Sequence, residues 1–179
     1  MTKFNLKAAL AATLATSFLA APAMAAPQTG SFNANATIIK PLTMSITDSM
    51  EFGSITLLPA MGASANVSVA WNAVTSTVDR TCGAGLSCAG TPLVPNIAFT
   101  GGVGSQTVSI SYTPPANLTY TDPVTLAVSN LPFALDLPQT SLTLTNGAGS
   151  FKVDGTVTVP STSPEGTYSG TVNVSADYN

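Results

Sequence analysis

Histidine is absent from this sequence of 179 residues, and charged side chains are scarce, at 7% of the chain. Without histidine, the commonest general base and the commonest neutral metal ligand are both missing. Lys40 and Lys152 do not stand in the S-x-x-K spacing that activates a serine nucleophile. Five Lys and Arg against eight Asp and Glu cannot neutralise a row of phosphates. We therefore expect no enzyme activity, no cofactor, no metal site and no nucleic-acid partner.

The first 25 residues have the pattern of a secretory signal peptide. Lys3 and Lys7 precede an apolar stretch over residues 8–20, and small residues at 23 and 25 offer a cleavage site. The stretch is shorter than the ~20 residues that span a bilayer, and no second one follows. We expect a mature protein that is not membrane-embedded. It would be exported through the inner membrane to the periplasm and then reach the cell surface or be secreted.

Cysteine is also rare, since the chain holds only Cys82 and Cys88. Export favours a disulfide between them, and a metal site would need ligands that the chain lacks. Closing so short a loop stabilises the fold by about 2 kcal/mol on the chain-entropy model. We predict a structural Cys82–Cys88 disulfide.

Alternating apolar and polar residues fill the rest of the chain, with turn residues between the runs. Asn146-Gly147 is a hairpin signal, and residues 130–132 are taken as a break. The predicted runs include 42–46, 50–57, 67–71, 97–99, 108–112, 124–128, 142–144, 151–159 and 168–178. They predict an all-β fold: one immunoglobulin-like antiparallel β-sandwich over residues 41–179, after an extension at 26–40.

The C-terminal run alternates up to a penultimate aromatic residue. This ending resembles that of fimbrial (pilin) subunits assembled by the chaperone–usher pathway, although Gly170 replaces a larger apolar residue. The resemblance implies an edge that binds a periplasmic chaperone and later takes part in assembly through an outer-membrane usher. The residues that carry it are Gly166, Tyr168, Val172, Val174, Ala176 and Tyr178.

The same ending is also similar to that of an uncharacterised secreted bacterial family of unknown function near the spore-coat-U-like proteins. Members of that family share the apolar-Phe-Gly motif seen here at residues 50–53.

The start of the mature chain resembles the donor segment of α-type fimbrial subunits. Phe32, Ala34, Ala36 and Ile38 alternate with polar residues before Pro41. In donor-strand exchange, such a segment completes the sandwich of a neighbouring subunit that lacks one strand. The resemblance implies a structural subunit of a cell-surface fimbria that associates with other subunits. The alternative is a self-contained secreted or surface β-sandwich in which residues 32–38 are simply the first strand.

Overall fold

The computed structural model describes residues 28–36, 38, 40–102, 104–136 and 138–179. The predicted signal peptide at 1–25 lies outside these residues. The chain divides into two compact units, Met1–Ala36 and Thr37–Asn179. In the first unit, residues 28–36 are exposed and contain no strand or helix. The second unit contains all the strands that are assigned in the described residues.

Thirteen strands and no helix are assigned in the described part of the chain. They are β1 (Thr43–Thr47), β2 (Ser54–Leu57), β3 (Ser64–Asn72), β4 (Thr77–Cys82), β5 (Leu86–Ala89), β6 (Asn96–Thr100), β7 (Thr107–Thr113), β8 (Asn117–Thr121), β9 (Val128–Asp136), β10 (Ser141–Thr143), β11 (Gly149–Lys152), β12 (Asp154–Pro160) and β13 (Asn173–Tyr178). No helix in the described residues has the length and apolar character needed to cross a membrane.

Every pair of neighbouring strands is antiparallel. The largest sheet has the order β4-β3-β12-β9-β8, and a two-stranded sheet pairs β2 with β5. Two three-stranded sheets have the orders β1-β6-β11 and β10-β7-β13. The predicted all-β class with antiparallel sheets is confirmed, and the arrangement is consistent with a β-sandwich.

Alternation explains the strands at the centre of the largest sheet. Val67 and Val69 of β3 are fully buried, and Val67 pairs with Val157 of β12. Partners in an antiparallel pair point to the same face, so these valines form one side of a core. A second core cluster surrounds Phe99 and Val108 of the three-stranded sheets.

The turn predicted at Asn146-Gly147 is present. Thr145 and Ala148 form an antiparallel bridge, with Asn146 and Gly147 both at positive φ (53° and 77°). The flanking strands β10 and β11 then pair with different partners, β7 and β6.

Several predicted runs were wrong in their bounds. Residues 124–128 were expected to form a strand, but residues 122–127 form the turn of the β8–β9 hairpin. The supposed break at 130–132 lies inside β9, and the run at 151–159 is divided between β11 and β12. The last run is a strand only from Asn173 to Tyr178. The sequence also gave no signal for β4, β5 and β8.

Cys82 and Cys88 form a disulfide, with their Cα atoms 6.4 Å apart. The bond joins β4, at the edge of the five-stranded sheet, to β5 of the two-stranded sheet. Arg80 makes a second link, since its Nη1 donates to the carbonyl oxygens of Phe52 (3.0 Å) and Ala89 (2.9 Å). The small sheet is therefore attached by a covalent bond and by a forked hydrogen bond.

Candidate functional site: an apolar groove beside two unpaired strand edges

A groove of about 1100 Å³ runs along the core of the second unit. Apolar side chains from several sheets line it, including Phe52, Leu131, Phe133, Val157, Val172 and Val174. Its volume is at the upper limit of small-molecule pockets, which are about 300–1,000 Å³. No Lys or Arg is found among its described lining residues. The groove, which Glu51 and Glu165 also line, is therefore suited to a largely apolar occupant.

The last strand, β13, contributes one wall of this groove. One edge of β13 pairs with β7, and no strand among the described residues pairs with its other edge. Val174, Ala176 and Tyr178 pack towards the second core cluster and are only half-buried. An edge of this kind leaves backbone N–H and C=O groups available to another strand.

The first strand, β1, also has a free edge, since no strand in the described part of the chain pairs with it on the side away from β6. Met44 and Ile46 pair with Phe99 and Ile97 of β6, so all four side chains point to the core face. Phe99 and Ile97 are 0% and 1% exposed, whereas Met44 and Ile46 are 36% and 48% exposed. The described residues thus cover the core face only partly at β1.

The two unpaired strands border the same groove. Ile46 of β1 and Val174 of β13 both line it. The Tyr178 hydroxyl, at the end of β13, donates to the carbonyl oxygen of Lys40 just before β1 (3.0 Å). The start of β1 therefore lies beside the end of β13, and the two strands run in opposite directions.

The residues just before β13 continue the groove wall from Val172 back to Gly166. Tyr168 lies against Tyr120, with ring centroids 5.6 Å apart, and the backbone of Ser169 pairs with Thr119. A Cβ at Gly166 would lie 2.5 Å from the Tyr120 ring, so only glycine allows this close approach. Burial raises the pKa of Tyr168. Residues 168–169 pack and bond against residues 119–120 here, and β13 begins only at Asn173, later than the predicted start at Tyr168.

Four of the residues proposed for the assembly edge line the groove, whereas Ala176 and Tyr178 pack against the second core cluster. Val174, Ala176 and Tyr178 lie in β13, whereas Gly166, Tyr168 and Val172 lie in the preceding segment. Their role in assembly stays a prediction. Ile46 of β1 was missed as a groove residue, because the alternation of a strand does not show which of its edges lacks a neighbouring strand.

The candidate donor residues lie outside any strand. Phe32 and Ile38 are 90% and 85% exposed, and Ala34 and Ala36 are also exposed. Because Phe32 and Ile38 are exposed to water, the hydrophobic effect does not stabilise either side chain in this structure. Their role as donor residues stays a prediction.

Tyr112 closes the groove where β7 ends. Its hydroxyl donates to the carbonyl oxygen of Gln139 (2.9 Å), and burial raises the pKa of Tyr112 to about 12. It therefore stays neutral and acts as a fixed donor over the ordinary pH range.

The motif at residues 50–53 has a structural explanation. Phe52 is buried in the first core cluster. Gly53 has φ +77°, and a Cβ there would clash with the Ala89 carbonyl oxygen and with Arg80 Nη1. The apolar-Phe-Gly pattern thus attaches the small sheet to the core.

These features define a class of protein: an all-β domain with antiparallel sheets and an apolar groove between two unpaired strand edges. The chain belongs to the family described as Domain of unknown function (DUF4402), which matches residues 42–178. The match begins just before β1 and ends with β13, so it covers the whole groove. The expected membership of a family of unknown function is confirmed. No curated protein matches the chain.

Proposed function

We propose that this protein is a structural subunit of a cell-surface fibre, assembled by donor-strand complementation. The observation that carries the proposal is the partly covered core face at β1 beside the unpaired edge of β13. Met44 and Ile46 are exposed there, although their partners in β6 are buried. One inserted strand would cover these side chains and supply hydrogen-bond partners to the β13 edge.

Residues 32–38 of another copy are the proposed occupant. Phe32 and Ile38 would act as anchors at either end, and the small Ala34 and Ala36 would fill the middle. Burying a large apolar side chain contributes roughly 1.5–3 kcal/mol. The two anchors would therefore give about 3–6 kcal/mol, to which the strand's hydrogen bonds add.

Each copy would donate one segment and accept one. Such contacts are head-to-tail and do not close on themselves, so they generate a fibre instead of a dimer. Before assembly, a periplasmic chaperone would occupy the same groove with its own strand, and an outer-membrane usher would exchange it for the next subunit. The resemblance of the C-terminal wall to that of fimbrial subunits supports these partners and the localisation at the cell surface.

The test uses the mature chain, residues 26–179, and a peptide of residues 28–40. Size-exclusion chromatography with light scattering should show oligomers that grow with protein concentration. Excess peptide should stop their growth and slow hydrogen exchange in residues 173–178. A peptide with Phe32 and Ile38 replaced by serine is the matched control. It should neither stop the growth of the oligomers nor slow hydrogen exchange.

A self-contained domain is the second candidate, because Lys40, just before β1, is bonded to Tyr178 at the end of β13 of the same chain. Residues 39–42 are long enough for a hairpin turn, so residues 32–38 could pair with β1 of the same chain. That arrangement predicts a monomer at all concentrations. It also predicts unfolding when residues 26–40 are deleted and no binding of the added peptide.

A further inference from the structure

The turn of the β8–β9 hairpin carries an exposed aliphatic surface, here called the apolar tip: Val124, Leu126 and Val128. These side chains are 87%, 73% and 61% exposed. The turn is nevertheless well ordered by hydrogen bonds. Asp122 Oδ1 accepts from the backbone N–H groups of Val124 and Thr125, both at 2.8 Å. These bonds stabilise the carboxylate and lower the pKa of Asp122.

Leu126 is also in a strained conformation. Its φ is +59°, in the left-handed region that glycine and asparagine adopt far more readily than leucine. Its N–H donates to the Asp122 carbonyl oxygen (2.9 Å), which fixes it there. The conformation closes the hairpin loop through hydrogen bonds between Asp122 and residues 126–127. The aliphatic side chain at this strained position nevertheless stays in solvent, where glycine or asparagine would close the same loop with less strain. Strain of this kind points to a functional contact.

The apolar tip lies at one end of the groove. Thr121 pairs with Val128 at the tip, and the neighbouring Tyr120 packs against Tyr168 of the groove wall. The chain runs from Tyr168 through β13 to Tyr178. β9 begins at the tip, and the residues that follow it, Gln139 and Thr140, bond to β7. Tyr178 pairs with Val108, which lies beyond Ile110 towards the start of β7. Tyr178 is therefore at the end of β13 that lies far from the apolar tip.

The extension joins the domain at this far end, because Tyr178 bonds to Lys40. In a head-to-tail fibre, each extension leaves its own domain at the Tyr178 end and must enter the next groove from the opposite end. That is the end beside the apolar tip. The donor segment would then run antiparallel to β13, with Ile38 nearest to the tip. The few residues between Ile38 and β1 keep the donor's domain close to the tip.

We infer that the apolar tip is a second contact between consecutive copies, packing against the domain whose extension fills the adjacent groove. This inference rests on the proposed function. Three aliphatic side chains cover too little area for a stable dimer, which needs about 1,000 Å² or more. The tip can therefore act only where another contact already holds the two copies together.

The experiment compares full-length mature variants for polymerisation and for binding of the peptide of residues 28–40. Leu126→Asn removes the aliphatic side chain and places a residue that tolerates positive φ, so its melting temperature should not fall. Val124→Thr removes apolar surface without touching the strained position. Each should raise the concentration needed for polymerisation roughly 10-fold, as the loss of one buried aliphatic contact implies. Peptide binding should be unchanged.

Val74→Thr is the control, because Val74 is 94% exposed on the β3–β4 turn. This turn and the apolar tip lie at opposite ends of the strands and at opposite edges of the five-stranded sheet. Polymerisation of both tip variants at the wild-type concentration, with normal peptide binding, would overturn the inference but leave the proposed function standing. An equal defect in Val74→Thr would also overturn it. Failure of the wild-type chain to bind the peptide would remove both. Wild-type binding to phosphatidylcholine vesicles, lost in Leu126→Asn, would assign the tip to a membrane instead.

Discussion

A single carboxylate at position 36 offers a quantitative test of the donor segment. Ala36→Asp would place this group in the middle of the groove, among side chains such as Phe133 and Val157. No Lys or Arg lines the described part of the groove, so the carboxylate would have no ion-pair partner. A group in that position neutralises instead of remaining charged.

The cost follows from the ordinary pKa of aspartate, about 3.9. Holding the group protonated at pH 7 costs about 4 kcal/mol, since each pH unit above the pKa adds about 1.36 kcal/mol. Association should therefore weaken about 1,000-fold at pH 7. At pH 5 the cost falls to about 1.5 kcal/mol, or roughly 10-fold. The bound state has the raised pKa, so the penalty shrinks as the pH falls towards 3.9 and grows above it.

Asn35→Asp is the matched control, because it adds the same charge one position away, on the face predicted to point to solvent. Sedimentation velocity at pH 7 and pH 5 would report the oligomer size of both variants and of the wild type. We expect Ala36→Asp to remain monomeric at pH 7 and to recover oligomers at pH 5, while Asn35→Asp behaves like the wild type. Equal behaviour of the two variants would refute the alternating donor face.

Three other predictions concern the domain itself. Tyr178→Ser should reduce the amount of protein that co-purifies with its chaperone. Tyr178→Phe loses only a hydrogen bond of about 0.5–1.5 kcal/mol and should not reduce it. Equal co-purification of the two variants would count against the assembly edge. Intact-mass analysis of the mature, unreduced protein should show no thiol that can be alkylated, since Cys82 and Cys88 are bonded; two labelled thiols would contradict this. Gly53→Ala should lower the free energy of unfolding by at least ~2 kcal/mol in urea, because of its positive φ and the clash with Ala89, whereas Gly62→Ala should be neutral.

The alternation of apolar and polar residues was sufficient to predict a strand where one face of the strand is buried. The alternation at Val67 and Val69, or at Val157 and Val159, predicts a strand because only one face of each is in the core. The pattern at 124–128 looks the same, yet it forms a turn. There the hydrogen bonds to Asp122 fix the backbone, and alternation alone cannot distinguish an exposed aliphatic turn from a strand.

The all-β class, the disulfide pair and the turn at Asn146-Gly147 could be predicted from the sequence alone. Each of these follows from residues that are close together in the chain. That β1 and β13 border one groove could be seen only in the folded domain, because strand order depends on contacts between residues far apart in the chain. Met44 and Ile46 resemble any core residues in sequence. That both side chains stay partly exposed becomes visible only when the sheets are assembled.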